Sequence, residues 1–310
     1  MDKKEEYLNE LLENPSGAQV LSDKLSQLLE DKEFYKYGLL VPIIEKLLSS
    51  GYENTVLSQF SHILQRALKD EILDIAEMIS DVPEGQDTLT NNATQVIARL
   101  DGEDIVDFID LLSDEKKQEM FERNEYSYNL YRQGLIREST LGGIIKGDVS
   151  IFVEEIIKEV SEGKELNKIG DEGTYSDAIE TNGYVIKLGE TRDKFEIPYH
   201  PNILQPLLRE RISDKEGKDI LIVEVQDKVD TKNVTEEQRQ ELINKLKESK
   251  IKCKDILYGN IGILQKPNQR RLFDGVGGIT DHKDIKEETL KPGEPVVYDT
   301  DMIEYDDSDR

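Results

Sequence analysis

The hydrophobic period of the chain changes once, near residue 165, and no other feature constrains the fold as much. Before that point apolar residues recur three and four apart. Leu21, Leu25, Leu28 and Leu29 make one stripe, and Leu39, Ile43, Ile44, Leu47 and Leu48 a second. Leu57, Phe60, Ile63, Leu64, Ala67 and Leu68 make a third, followed by Ile72, Ile75, Ala76 and Ile79. Later stripes run through Val96, Ile97 and Leu100, through Ile105, Phe108, Ile109 and Leu112, and through Ile151, Phe152, Ile156, Ile157 and Val160. That spacing gathers each set on one helix face. Ser50-Gly51, Val82 to Gly85, Asp101-Gly102 and Gly142-Gly143 read as the turns or caps between helices. Helices punctuated at intervals of roughly 20 residues pack as antiparallel neighbours. Residues 1–165 are therefore expected to form an all-α helical bundle or helical-repeat domain. Arrays of this kind mostly present surfaces, so a protein partner is expected for this half.

From residue 166 onward, β-branched segments replace the stripes. Gly183 to Lys187, Asp219 to Val225, Asn260 to Leu264 and Pro295 to Tyr298 read as short strands. Between the second and third lies Thr235 to Lys247, with a threonine cap, acidic residues in its first turn and basic ones in its last; it reads as a helix. The whole chain is then α+β, with a small α+β domain over residues 166–310 that ends in an acidic tail.

Charge narrows the function classes. There are 66 acidic and 40 basic side chains, a formal net charge of −26, which argues against direct binding to nucleic acid or an anionic bilayer. No apolar run approaches the roughly 20 residues of a membrane helix, and the start lacks the apolar core of a secretory signal. One cysteine, Cys253, excludes an internal disulfide, and three scattered histidines make a zinc site improbable. The expectation is a cytoplasmic protein.

The second half also holds, in a workable order, the residue types that phosphoryl transfer requires. A loop must cover the phosphates and a lysine must neutralise them; a carboxylate must orient the acceptor, and Asn with Asp must hold the metal. A Gly-containing segment from Gly170 to Ala178 precedes a strand ending in Val185, Ile186 and Lys187. His200, Pro201, Asn202 and Ile203 follow, then the strand through Val225 and the capped helix. Asp255 and Asn260 stand in an Asp-x-x-x-x-Asn spacing, and Val296, Val297 and Tyr298 lead into Asp299.

On these residues, the stretch 166–302 resembles the protein kinase-like fold. The resemblance implies ATP and Mg²⁺ as ligands. Gly173 and Ser176 would belong to the phosphate-covering loop, Lys187 would contact the phosphates, and Asp255 would orient the acceptor hydroxyl. Asn260 and Asp299 would hold the metal. The chain also departs from the family pattern: the loop lacks the full Gly-x-Gly-x-x-Gly, Lys254 stands where arginine is usual, and no histidine opens the catalytic loop. Asp299-Thr300-Asp301 replaces Asp-Phe-Gly. The stretch from Lys187 to His200 is short for the usual helix carrying the lysine's glutamate partner, and Glu190 and Glu196 are poor substitutes. The chain ends soon after the metal-Asp strand, so a C-terminally truncated form is implied, either a minimal kinase or a pseudokinase.

Asp274, in Phe273-Asp274-Gly275, competes with Asp299 for the metal role. Asp299 is preferred because an apolar strand would hold it rigidly. His62 is expected to pack on a helix face, His200 to be structural, and the tail from Asp301 to Asp309 to be a solvated terminus. Two functions follow as expectations. One is a kinase-like phosphotransferase or nucleotide-binding pseudokinase with a helical partner-binding domain. The other is a non-enzymatic acidic interaction protein, of the immunity or antitoxin kind, that masks a basic partner.

Overall fold

Short and long helices alternate through the first half of the chain. The computed structural model describes residues 3–31, 34–169, 176–189, 200, 202–204, 206–213, 217–253, 260–265, 292–298 and 303–305. The chain divides into two compact units, Met1–Asn129 with Leu141–Ser150, and Leu130–Thr140 with Ile151–Arg310.

In the first unit α1 (Lys3–Glu13), α3 (Leu40–Ser49), α5 (Glu71–Ser80) and α7 (Gly102–Asp110) alternate with α2 (Gly17–Glu30), α4 (Glu53–Arg66) and α6 (Gly85–Arg99). The short helices stack in series, α1 on α3, α3 on α5 and α5 on α7, while α2 packs on α4 and α4 on α6. This is the stacking of a helical-repeat array, the second of the two architectures the stripes allowed. Polar contacts mark the repeat length: Tyr52 donates to Gln19, Ser22 pairs with Thr55 and Ser61 donates to Gln95, at separations of 33, 33 and 34 residues. Side-chain contacts recur at that interval although the sequence carries no strict repeat signature. The next helices are α8 (Asp114–Arg123), α9 (Glu125–Arg132), α10 (Glu138–Gly147) and α11 (Ser150–Ser161).

The stripes fill the core, with Leu21, Ile43, Ile63, Ile75 and Phe108 all shielded from solvent. Three positions differ from expectation. Leu68 falls beyond the end of α4 and Ile151 lies in the first turn of α11; both are exposed, at 41% and 68%. His62 lies on the solvent side of α4, where its Nδ1 pairs with Gln59. Gly142-Gly143 is not a break between helices: it lies inside α10. A Cβ at Gly142 would stand 1.7 Å from the carbonyl oxygen of Gly102, so the absent side chain admits another backbone rather than a turn.

The second unit holds a five-stranded antiparallel sheet in the order β1-β2-β3-β5-β4. Its strands are β1 (Asn167–Ile169), β2 (Ser176–Thr181), β3 (Tyr184–Gly189), β4 (Leu208–Ser213) and β5 (Asp219–Asp227). Ile179, Ile186, Leu188, Val223 and Val225 are buried on one face. After β6 (Val229–Asp230) comes α12 (Glu236–Glu248), opened by a capping box in which Thr235 and Gln238 satisfy each other's backbone amides. Then follow β7 (Ile251–Cys253), β8 (Ile261–Leu264), β9 (Pro295–Val297) and β10 (Ile303–Tyr305). Strands β6, β8 and β9 form a three-stranded sheet, and β7 pairs with β10. The acidic tail is thus in part a strand, since residues 303–305 pair with residues 251–253.

The β8–β9 hairpin is apolar on both faces. Ile261 and Val297 pack with Leu242 and Leu246 of α12. Leu264 and Val296 pack with Val229 and Leu204 on the other face. Gly262 has no Cβ for a steric reason: one would lie 2.3 Å from the Val229 side chain.

Candidate functional site

Side chains alternate across a strand, so register decides which candidates share a face. Ala178 lies opposite Lys187, Lys187 opposite Glu224, and Glu224 opposite Arg209. This row crosses four strands on the face opposite the apolar one. Ser176, opposite Gly189, shares that face two residues along. Lys187 and Ser176 are therefore brought to one side of the sheet, whereas Gly173 lies outside the described residues.

The row is a buried ionic cluster. Lys187 Nζ lies 3.8 Å from Glu224 Oε1, and Arg209 Nε lies 3.4 Å from Glu224 Oε2. The side chains of Lys187, Glu224 and Arg209 are 17%, 4% and 8% exposed, so solvent screens these charges far less than a surface pair. Gln226, two residues beyond Glu224 on the same face, extends the cluster. With its amide oriented to meet both acceptors, its nitrogen donates to Glu224 Oε1 and to the Tyr298 carbonyl, each at 3.2 Å. The Tyr298 amide in turn donates to the Asn260 carbonyl at 3.1 Å. A chain of polar contacts thus runs from Lys187 through Glu224, Gln226 and the Tyr298 backbone to Asn260.

Asn260 owes its place to the hairpin. Ile261 pairs with Val297, and the bond between Asn260 and Tyr298 extends that ladder by one step. At the far side, Cys253 pairs with Ile303. The connection from β7 to β8, which contains Asp255, and the connection from β9 to β10, which contains Asp299, therefore join the same two ladders. Their ends are neighbours at both junctions. Asp255 and Asp299 themselves lie outside the described residues, as do Asp274, His282, Glu190 and Glu196. No group of three or more metal-ligating side chains occurs among the described residues. An asparagine amide oxygen and an aspartate carboxylate are hard donors of the kind Mg²⁺ takes.

Glu224, Arg209 and Gln226 carry no motif, and the sequence reading gave them no role. A signal was present, however: a carboxylate within the run Leu221, Ile222, Val223, Glu224, Val225 is buried in a strand, and a buried carboxylate needs cations.

Two carboxyl groups nearby are perturbed. Burial pushes Glu210 of β4 above its ordinary range. Asp230, at the end of β6, is held below it by hydrogen bonds from the Asn233 side chain and the Lys232 amide.

Among the described residues, no helix is long and apolar enough to cross a membrane. No protein family, curated protein or solved structure matches the chain.

Proposed function

We propose that the C-terminal unit is a divergent kinase-like domain that binds Mg-ATP, as a phosphotransferase or as a nucleotide-binding pseudokinase, and that the helical repeats recruit a protein partner. One observation carries this reading: the ladder step between Asn260 and Tyr298 sets Asn260 beside the residue that precedes Asp299. Those two side chains are the ones a kinase-like site uses to hold its metal. The position of Lys187 on the third strand of the sheet agrees with it, because kinases carry the phosphate-contacting lysine on their third strand. Ser176, at the start of the second strand, borders the segment that would cover the phosphates.

In this reading Lys187 neutralises nucleotide phosphate charge and Asp255 orients the acceptor hydroxyl. Asn260 and Asp299 hold Mg²⁺, which, when bound, offsets charge on the phosphates. The stacked helical hairpins offer a continuous surface, which supports a recruiting role for the first unit.

Calorimetric titration of Mg-ATP into the full chain tests the proposal, with Lys187→Met and Asp299→Ala as comparisons. Binding that both substitutions weaken supports it, and a phosphoryl-transfer assay then separates kinase from pseudokinase. Absence of binding at about 10 mM nucleotide, a dissociation constant far above those of working sites, overturns it. The net charge of −26 would then favour the second reading, a non-enzymatic protein that masks a basic partner.

A further inference from the structure

We infer that Glu224 is the positioning residue for Lys187: strand β5 supplies here the carboxylate that kinases place on a helix. The inference rests on the kinase-like reading and adds a residue to it. Three features support the assignment. Strand β5 lies between β3 and β4, hydrogen-bonded on both sides, so the backbone of Glu224 is fixed by two ladders. Its two oxygens are divided between cations, Oε2 toward Arg209 and Oε1 toward Lys187, so rotation of the carboxylate would disturb both pairs. Gln226 ties Oε1 to the Tyr298 carbonyl, one residue before Asp299.

The Lys187 to Glu224 distance of 3.8 Å is an ionic contact and too long for a hydrogen bond. An ionic contact of this length restrains the ammonium without Glu224 itself taking one of its N–H donors in a hydrogen bond. Gln226 couples that restraint to the strand leading into the metal position. The lysine and the metal ligands would then be set by one cluster on one sheet face.

A purely structural cluster would hold the sheet without acting on the ligand, and the two roles separate in a double-mutant cycle. Mg-ATP affinity is measured by calorimetry on the full chain for wild type, Glu224→Gln, Lys187→Met and the double variant. Each single substitution is expected to weaken binding about tenfold, and the double variant to bind within about twofold of Lys187→Met. Losses that multiply, or a Glu224→Gln protein with wild-type affinity, overturn the assignment. So does an equal loss in Glu190→Gln or Glu196→Gln, since the partner carboxylate then lies elsewhere. If Lys187→Met falls below measurable affinity, Lys187→Arg replaces it in the cycle. If Glu224→Gln does not fold, Glu224→Asp, which keeps the charge on a shorter arm, must still weaken Mg-ATP. Failure of the wild-type protein to bind Mg-ATP defeats the kinase-like reading itself, whereas binding that depends on Lys187 but not on Glu224 defeats the positioning role alone.

Discussion

Arg66, in the last turn of α4, donates through Nε to the carbonyl of Leu29 in the last turn of α2, at 2.7 Å. One repeat on, Arg99 in the last turn of α6 donates to Leu64 and Ala67, at 2.5 and 2.8 Å. The last carbonyls of a helix have no partner within it and carry the negative end of its dipole. The C-termini of α2 and α4 are thus each closed by an arginine from the following repeat, and at the end of α6 the Leu100 carbonyl accepts from Lys146 instead. Arg99→Ala is expected to lower stability by about 2 kcal/mol, the range of charge-assisted hydrogen bonds. Arg99→Lys should recover little, because one ammonium cannot reproduce the planar fork that spans two carbonyls. Thermal unfolding of the two variants checks the order, and full rescue by lysine would refute the role of the fork.

Gly142 gives a sign test. In an ordinary helix interior, Gly→Ala raises stability by up to about 1 kcal/mol. At Gly142 the new methyl would meet the Gly102 backbone at 1.7 Å, and backbone cannot rotate out of the way. Gly142→Ala should therefore destabilise, by about 1–3 kcal/mol. A higher urea midpoint for the variant would show that α10 does not approach α7 this closely.

These two contacts also show what a single sequence reveals. The stripes placed the helices because burial follows the 3.6-residue period, and Thr235 with its flanking charges placed α12 because capping is local. The Gly142 pair was read as a turn, since glycine marks both breaks and close approaches and the partner lies 40 residues away. Strand β4 was missed because Arg209, Glu210 and Arg211 stand in a row between Leu208 and Ile212 at the sheet edge, and three successive charges resemble a solvated loop. Strand β10 was hidden in an acidic tail. At the candidate site, motif spacing singles out Lys187 and Asn260. It passes over Glu224, whose meaning comes from the register of three strands that sequence separation conceals.

Asp177 of β2 carries a buried carboxylate. Its side chain, 1% exposed, accepts from the Arg137 amide at 2.8 Å and from Arg137 Nε at 3.1 Å, with Lys168 at 3.9 Å. The Arg137 amide directly precedes α10, so a strand carboxylate closes that helix's N-terminus. Asp177→Ala removes one member of a buried ion pair and should cost about 3 kcal/mol. Asp177→Asn, which can still accept from the amide, should cost less; equal losses in thermal unfolding would deny the cap its share.

The two perturbed carboxyls predict opposite pH effects. Glu210 has its folded value raised by burial above the ordinary 4.5, so its charged form is penalised in the folded protein. Its cost is absent below 4.5, grows as pH rises through the folded value, and is complete above it. Glu210→Gln should therefore match wild type near pH 4 and exceed it at pH 7. Asp230 is lowered from 3.8 by the Asn233 side chain first and the Lys232 amide second. Its contribution is present above 3.8 and lost as pH falls through the folded value, so Asp230→Ala should fall short of wild type at pH 7 and approach it under strong acid. Melting temperatures of both variants across pH give the comparison, and parallel curves for variant and wild type would count against either shift.

The strand that leads to Asp299 is held on its second side by the segment around Asn202. Leu204 donates to the Val297 carbonyl at 2.9 Å and Val297 donates to the Asn202 carbonyl at 3.0 Å, while the buried Asn202 side chain donates to Pro295 at 3.0 Å. The Asn202 amide donates to His200 Nδ1 at 3.1 Å. An amide can only donate, so Nδ1 carries no proton, and Nε2 donates to Ser249 Oγ at 3.1 Å, at the end of α12. The structural role expected for His200 is thus to join α12 to this segment. Asn202→Asp keeps the shape but turns a carboxylate oxygen toward a carbonyl in a buried place, so it should be the most damaging change. Asn202→Ala leaves the Pro295 carbonyl without that donor and should cost about 1–3 kcal/mol. His200→Ala, at an exposed edge, should cost about 1 kcal/mol. Amide hydrogen exchange adds a local readout: Val297 should lose protection in both Asn202 variants more than in His200→Ala. The reverse order would mean that β9, and with it the approach to Asp299, is held by β8 and the apolar packing of Val296 and Val297 alone.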